Sequence, residues 1–166
     1  MFLSAILVSF FALMAHAIPL SPQKTADVAC AEPGDCYRIQ SLNVSLPSGS
    51  EEQVQLTFTL WDDAQIANNR TVCSTSWEAG TDGWPQNYVK CDDDMFQWKF
   101  SKFDSVTDWG MEAAHDFRLG SFGARSFANG TAAGADFECE TTASGARRCS
   151  LKENHVINLA YYAMIA

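Results

Sequence analysis

Positive charge is scarce in this chain: 11 Lys and Arg stand against 20 Asp and Glu, a net charge of −9. Such a surface repels phosphate backbones and anionic headgroups, so nucleic acid and anionic lipid are poor partners. Histidine is scarcer still, at three. The sequence has no C-x2-C pair and no H-E-x-x-H run, which removes the zinc-finger and zincin patterns. It also lacks a G-x-S-x-G elbow and a glycine-rich turn between strand and helix. No apolar run after the first residues reaches the roughly 20 needed to span a bilayer. The candidate closest to that length, VINLAYYAMIA, contains Asn158.

What is present begins with the N-terminus. MFLSAILVSFFALMAHA has an apolar stretch from Phe2 to Met14 and closes on Ala15-His16-Ala17, a small-x-small cleavage pattern. Residues 1–17 therefore read as a secretory signal. Residues 18–35, with three prolines and no alternation, read as an extended arm, and 36–166 as one domain. The mature chain is expected to be soluble and extracellular, with no membrane segment.

Two further patterns agree with export. All six cysteines, Cys30, Cys36, Cys73, Cys91, Cys139 and Cys149, follow the signal, and an even count in an oxidising compartment points to disulfides. Six cysteines allow 15 connectivities. Cys30 and Cys36 either pair locally across Pro33-Gly34 or offer one thiol to a second chain. Three N-glycosylation tripeptides occur, at Asn43, Asn69 and Asn129.

The dominant period is two. In VQLTFTLWD, Val54, Leu56, Phe58 and Leu60 share one face, which is the pattern of a half-buried antiparallel strand. FQWKF repeats it with Phe96, Trp98 and Phe100, and INLAY with Ile157, Leu159 and Tyr161. From Tyr37 to Leu46 the alternation is weaker, with Arg38 and Gln40 preceding Leu42, Val44 and Leu46 on one parity. DWGMEAAHDF fits a strand better than a helical turn. Gly, Ser and Asn clusters punctuate these runs, so the expected fold is all-β: a single antiparallel barrel or sandwich stapled by disulfides. Asp92 to Asp94 read as a solvated turn whose side chains bond local backbone amides.

TVCSTSW, YVKCDDDMFQWKFSKFDSVTDWGMEAAHDF, ADFECE and a last cysteine before an apolar terminal strand together resemble the major-allergen family of Alternaria-type fungi, the AA-one-like domain. The resemblance covers about residues 37–163. It implies a small secreted fungal β-barrel with Cys73 paired to Cys91 and Cys139 to Cys149. It also implies an allergen, effector or elicitor role, with small phenolic ligands or host extracellular defence proteins as partners. A cysteine-linked homodimer is part of the same expectation, although two cysteines, Cys30 and Cys36, stand where the family's type member uses one.

Three function classes remain. A hydrolase would draw on His115, His155, Asp62-Asp63 or Asp92 to Asp94, but none of these has a partner at a recognisable spacing, and His115 reads as a partly buried structural residue. A binding module would use Trp61, which follows an inward Leu60 and so faces out, with Trp77 and Trp84 in the loop between Cys73 and Cys91. Those loop rings either stack on sugars and phenolics or fold back as a small core under the disulfide. An extracellular interaction protein, with no enzymatic activity and no cofactor, is the leading expectation.

Overall fold

The computed structural model describes Cys30 and residues 34–49, 52–64 and 68–166. The signal and nearly all of the arm lie outside these residues. Ten strands follow in order: β1 (Cys36–Leu46), β2 (Gln53–Asp62), β3 (Asn69–Glu78), β4 (Val89–Lys90), β5 (Phe96–Ser105), β6 (Asp108–Leu119), β7 (Phe122–Ala132), β8 (Phe137–Thr141), β9 (Arg147–Leu151) and β10 (Ile157–Ile165). All pairings are antiparallel, in the order β3-β2-β1-β10-β7-β6-β5-β4, and the sheet curls into a nearly closed barrel. β1 serves two neighbours along one edge. Its first half pairs with β10 and its second half with β9, which carries β8.

The inward row is apolar. Val54, Leu56, Phe58 and Leu60 of β2 are buried, as are Phe96, Trp98 and Phe100 of β5 and Leu159 of β10. At about 25 cal/mol per Å2 of apolar surface, these rings and branched chains supply the main drive for folding. The parity expected for β1 is corrected. Tyr37 and Ile39 point inward, not Arg38 and Gln40. A bulge between Gln40 and Asn43, with Ser41 at φ 51°, then shifts the register so that Leu42 and Val44 face the core. One extra residue reverses which parity is buried, which is why the sequence alternation looked weak there.

All six cysteines are paired within the chain: Cys30 to Cys36, Cys73 to Cys91 and Cys139 to Cys149. A subunit-linking disulfide would require one of these to open. The Cys73–Cys91 bond crosses the seam between β3 and the β4–β5 edge, where the ladder is incomplete. Asp92 N donates to Val72 O at 2.8 Å and Asp93 N to Thr71 Oγ1 at 2.9 Å. Asp93 also accepts from Met95 N at 3.0 Å and from Asn69 Nδ2 at 2.9 Å. The acidic turn thus bonds local amides as expected, and it also sews the barrel shut.

Candidate functional site: a buried polar cluster at one barrel end

The register brings the end of β2, the starts of β1 and β5, and interior positions of β6, β7 and β10 together at one end of the barrel. Five polar side chains meet just inside it. His115 lies on the inner face of β6, directly across from Phe96 on β5 and Ser126 on β7. Its ring stacks on Phe96 at 3.8 Å and 10°. Its Nδ1 donates to Asp62 Oδ2 at 2.7 Å. The other carboxylate oxygen of Asp62 accepts from Tyr161 Oη at 2.5 Å and from Ala64 N at 3.1 Å. Three donors therefore satisfy a carboxylate that is 1% exposed, the condition under which a buried charge is tolerated. Burial first, and then the neighbouring Asp62, push the Tyr161 phenol above its ordinary range.

Ser126 completes the group without joining the dyad. Its Oγ lies 2.6 Å from Tyr37 Oη, and its backbone oxygen accepts from the same phenol at 3.2 Å. Burial holds the Tyr37 phenol protonated, outweighing the hydrogen bond to Ser126 that acts the other way. Asp63, the next residue after Asp62, faces the rim instead. It accepts from Arg38 Nε at 2.6 Å and from Gly34 N at 2.9 Å. Two adjacent carboxylates thus tie β2 inward to β6 and β10, and outward to β1 and the arm. Gly34 allows the second tie because its φ is 98° and a Cβ there would stand 3.2 Å from Ala64 Cα.

Chemically, the cluster contains an aspartate, a histidine and a serine, the residue types of a hydrolytic triad. Its geometry differs in one decisive respect. The serine oxygen is bonded to a tyrosine, and Ser126 and Tyr37 are 2% and 0% exposed, so an acyl group has nowhere to sit. The arrangement works as an interior latch. Around it the rim mixes exposed apolar side chains, Phe122, Met164, Ile165 and Met95, with the charged Asp116, Arg118 and Arg125, which line a shallow groove of about 400 Å3 together with Met95 and Ile165.

The other residues singled out in the sequence lie elsewhere. Trp77 is buried and Trp84 half-buried at the opposite end, where both rings pack against Phe100 and Phe103. Trp77 lies on β3, paired with Val54, and not in the loop expected for it; Trp84 is in the loop that follows, which Phe100 N pins to β5 by donating to Pro85 O at 2.8 Å. Both tryptophans pack as core. Trp61 faces outward from β2, half-buried, with its Nε1 donating to Asn68 Oδ1 at 3.0 Å. Asn43, Asn69 and Asn129 are all exposed. His155 is exposed, its Nε2 3.7 Å from Asp136. Among the described residues no group of His, Cys, Asp and Glu is arranged to hold a metal ion.

Sequence reasoning did not foresee the Asp62–His115–Tyr161 contact, since its members are separated by dozens of residues and no motif marks them. A buried-parity histidine and a polar residue ending an otherwise apolar inward row were the available signals. No protein-family model matches the chain, and no curated protein matches it.

Proposed function

We propose that this chain is a secreted, non-enzymatic interaction protein of the AA-one-like type, acting outside the cell as an effector, elicitor or allergen-like protein. The observation that carries the reading is the barrel end itself: every side chain with catalytic potential there is consumed by an internal partner. What remains for contact is the outer surface. Its three in-chain disulfides, net charge of −9 and exposed glycan acceptors suit a protein that persists and stays dispersed in an extracellular fluid. The cysteine order and the Y-x-x-C-to-F-x-W-x-F passage support the family assignment. No described helix is long and apolar enough to cross a membrane.

The test is infiltration of purified protein into leaf tissue, paired with affinity capture from host apoplastic fluid. A defence response, or one saturable protein partner retained after a salt wash, is expected. Inert behaviour in both assays would overturn the reading. So would turnover of cell-wall polysaccharides or esters that a His115→Ala variant loses.

A further inference from the structure

The outer face of β1, β2 and β3 forms an ordered polar ribbon. Register places Arg38, Trp61 and Arg70 in one row across the three strands, then Gln40, Thr59 and Val72 in the next. Beyond the β1 bulge come Asn43, Thr57 and Ser74, and then Ser45, Gln55 and Ser76. Rows two residues apart along a strand are about 6.8 Å apart, so these four rows span roughly 20 Å. Asn43, Ser45, Gln55, Thr57, Ser74 and Ser76 line a shallow groove of about 400 Å3. Between its first row and its end the ribbon carries no charge.

The first row is different. The Arg70 guanidinium lies 4.1 Å from the centre of the Trp61 ring, and that of Arg38 5.8 Å from it. Arg38 is neutralised by Asp63 and also donates to Asn158 Oδ1 at 3.3 Å. Arg70 is exposed, and among the described residues no carboxylate pairs with its guanidinium. Arg118, Arg147 and Arg148 are likewise exposed without a carboxylate partner among the described residues; what sets Arg70 apart is its position over the Trp61 ring. Stacking on the indole, itself fixed by Asn68, restrains the guanidinium plane while leaving its edge N–H groups free. That is a preorganised fork for a carboxylate or a sulfate. It opens onto a strip of hydroxyls and amides, each able to donate or accept, with only Val72, 44% exposed, as an apolar step.

We propose that this ribbon binds a linear acidic oligosaccharide, with a carboxylated sugar unit held edge-on by Arg70 and the following hydroxyl-rich units lying along the Asn43 to Ser76 groove. The charged fork supplies the anchor and the uncharged strip reads a polyol. Arg148 of β9, across from Ser45, is an exposed cation at the far end of the ribbon, so an acidic peptide would find two cations separated by the length of the uncharged strip. Trp61 is a positioning residue in this site, because its ring faces the arginines rather than the ligand. Asn43 sits in the groove, so a glycan on that residue would cover it. The inference stands on the outer face and does not depend on the buried cluster or on the family resemblance.

The experiment is calorimetric titration of the chain produced in an oxidising bacterial periplasm, where no N-glycan is added and the groove stays clear, with an oligogalacturonate. Saturable binding that weakens with added salt is expected. Arg70→Ala should lose about tenfold or more in affinity, and Arg70→Lys part of that, since the charge survives without the fork. Ser74→Glu, which sets a like charge in the strip and leaves Arg70 intact, should also weaken binding. Unchanged melting temperatures would show that these surface variants fold. Three outcomes would overturn the proposal: absence of saturable binding, equal affinity for a neutral glucan of matched length or for polyglutamate, or an affinity indifferent to Arg70→Ala.

Discussion

His115 and Asp62 come from positions 53 apart in the chain, and their side chains meet at 2.7 Å in the barrel interior, 5% and 1% exposed. The contact joins β6 to β2 across the lumen rather than along the sheet, and Tyr161 extends it to β10. Strand ladders hold neighbours together; this contact holds opposite walls. Because each partner satisfies a group that could not otherwise be buried, its loss should cost more than an ordinary hydrogen bond.

Asp62→Ala tests this directly. The substitution leaves the His115 Nδ1 and the Tyr161 hydroxyl without their acceptor, and breaking a buried pair from one side costs about 3–5 kcal/mol. For a domain of this size, a fall of roughly 10–20 °C in melting temperature should follow. Asp62→Asn, which keeps the shape and one acceptor oxygen, should cost less. Combining Asp62→Asn with His115→Phe should give a coupling energy of about 1–3 kcal/mol in a double-mutant cycle. A melting point shifted by only a few degrees in Asp62→Ala would show that the latch is not structural.

The barrel was legible in the sequence because its period is two wherever a strand meets the core: Val54 to Leu60 and Phe96 to Phe100 are buried on the parity they advertise. The β1 parity was not legible, because a bulge at Ser41 is a backbone event that no side-chain alternation encodes. The latch was hidden for a different reason. Asp62 ends the inward row of β2, and only closure of the sheet decides whether that position meets solvent or His115. Trp61 facing outward could be read from parity alone, whereas the stacking of Arg70 on it required the β2–β3 register.

Acid should destabilise the fold through a second carboxylate. Asp116 and Arg125 face each other on β6 and β7 in a two-bond pair at 2.6 and 2.5 Å. The hydrogen bonds to Arg125 hold the Asp116 carboxyl below its usual range, against a smaller opposing effect of burial. Glu112 is shifted the same way: burial alone would raise it, but donors on Tyr88, Lys99 and Tyr162 outweigh that. A carboxyl depressed in the folded state contributes stability above its unfolded pKa, near 4, and loses it as pH falls further. Urea midpoints should therefore stay level from neutrality to about pH 5 and drop below about pH 4. Arg125→Gln should lower the plateau slightly and make the acid drop shallower. An identical profile in that variant would remove Asp116 from the account.

Gly130 belongs to the Asn-Gly-Thr acceptor tripeptide, but its own role is steric. A Cβ built on it would stand 2.4 Å from Asn158 O and 2.8 Å from Leu159 Cδ2, where β7 and β10 approach. The first of these contacts is backbone and cannot rotate away. Gly130→Ala should therefore cost about 1–3 kcal/mol, the range for overpacking a well-filled site. Gly123→Ala, on the same strand with nothing within 4 Å of its Cβ, should change stability by less than about 0.5 kcal/mol. Thermal melts of the two variants side by side decide the point.

The seam between β3 and the β4–β5 edge is where the barrel should open first. Among the described residues, Asp92 N and Asp93 N, the Asn69–Asp93 side-chain bond and the Cys73–Cys91 disulfide cross it, whereas the other neighbouring wall strands are joined by paired ladders, some of them bulged. The disulfide closes a sequence separation of 18, for which the loop-entropy estimate is about 3 kcal/mol. A Cys73→Ala/Cys91→Ala chain should therefore lose roughly that much stability, and its hydrogen exchange should quicken first in residues 69–78 and 91–95. Asp93→Ala in the intact chain should quicken exchange in those residues with a loss nearer 1 kcal/mol, because it removes two side-chain hydrogen bonds and leaves the covalent tie. If β8 and β9 opened before this seam in both variants, the Cys139–Cys149 hairpin would be the weaker element instead.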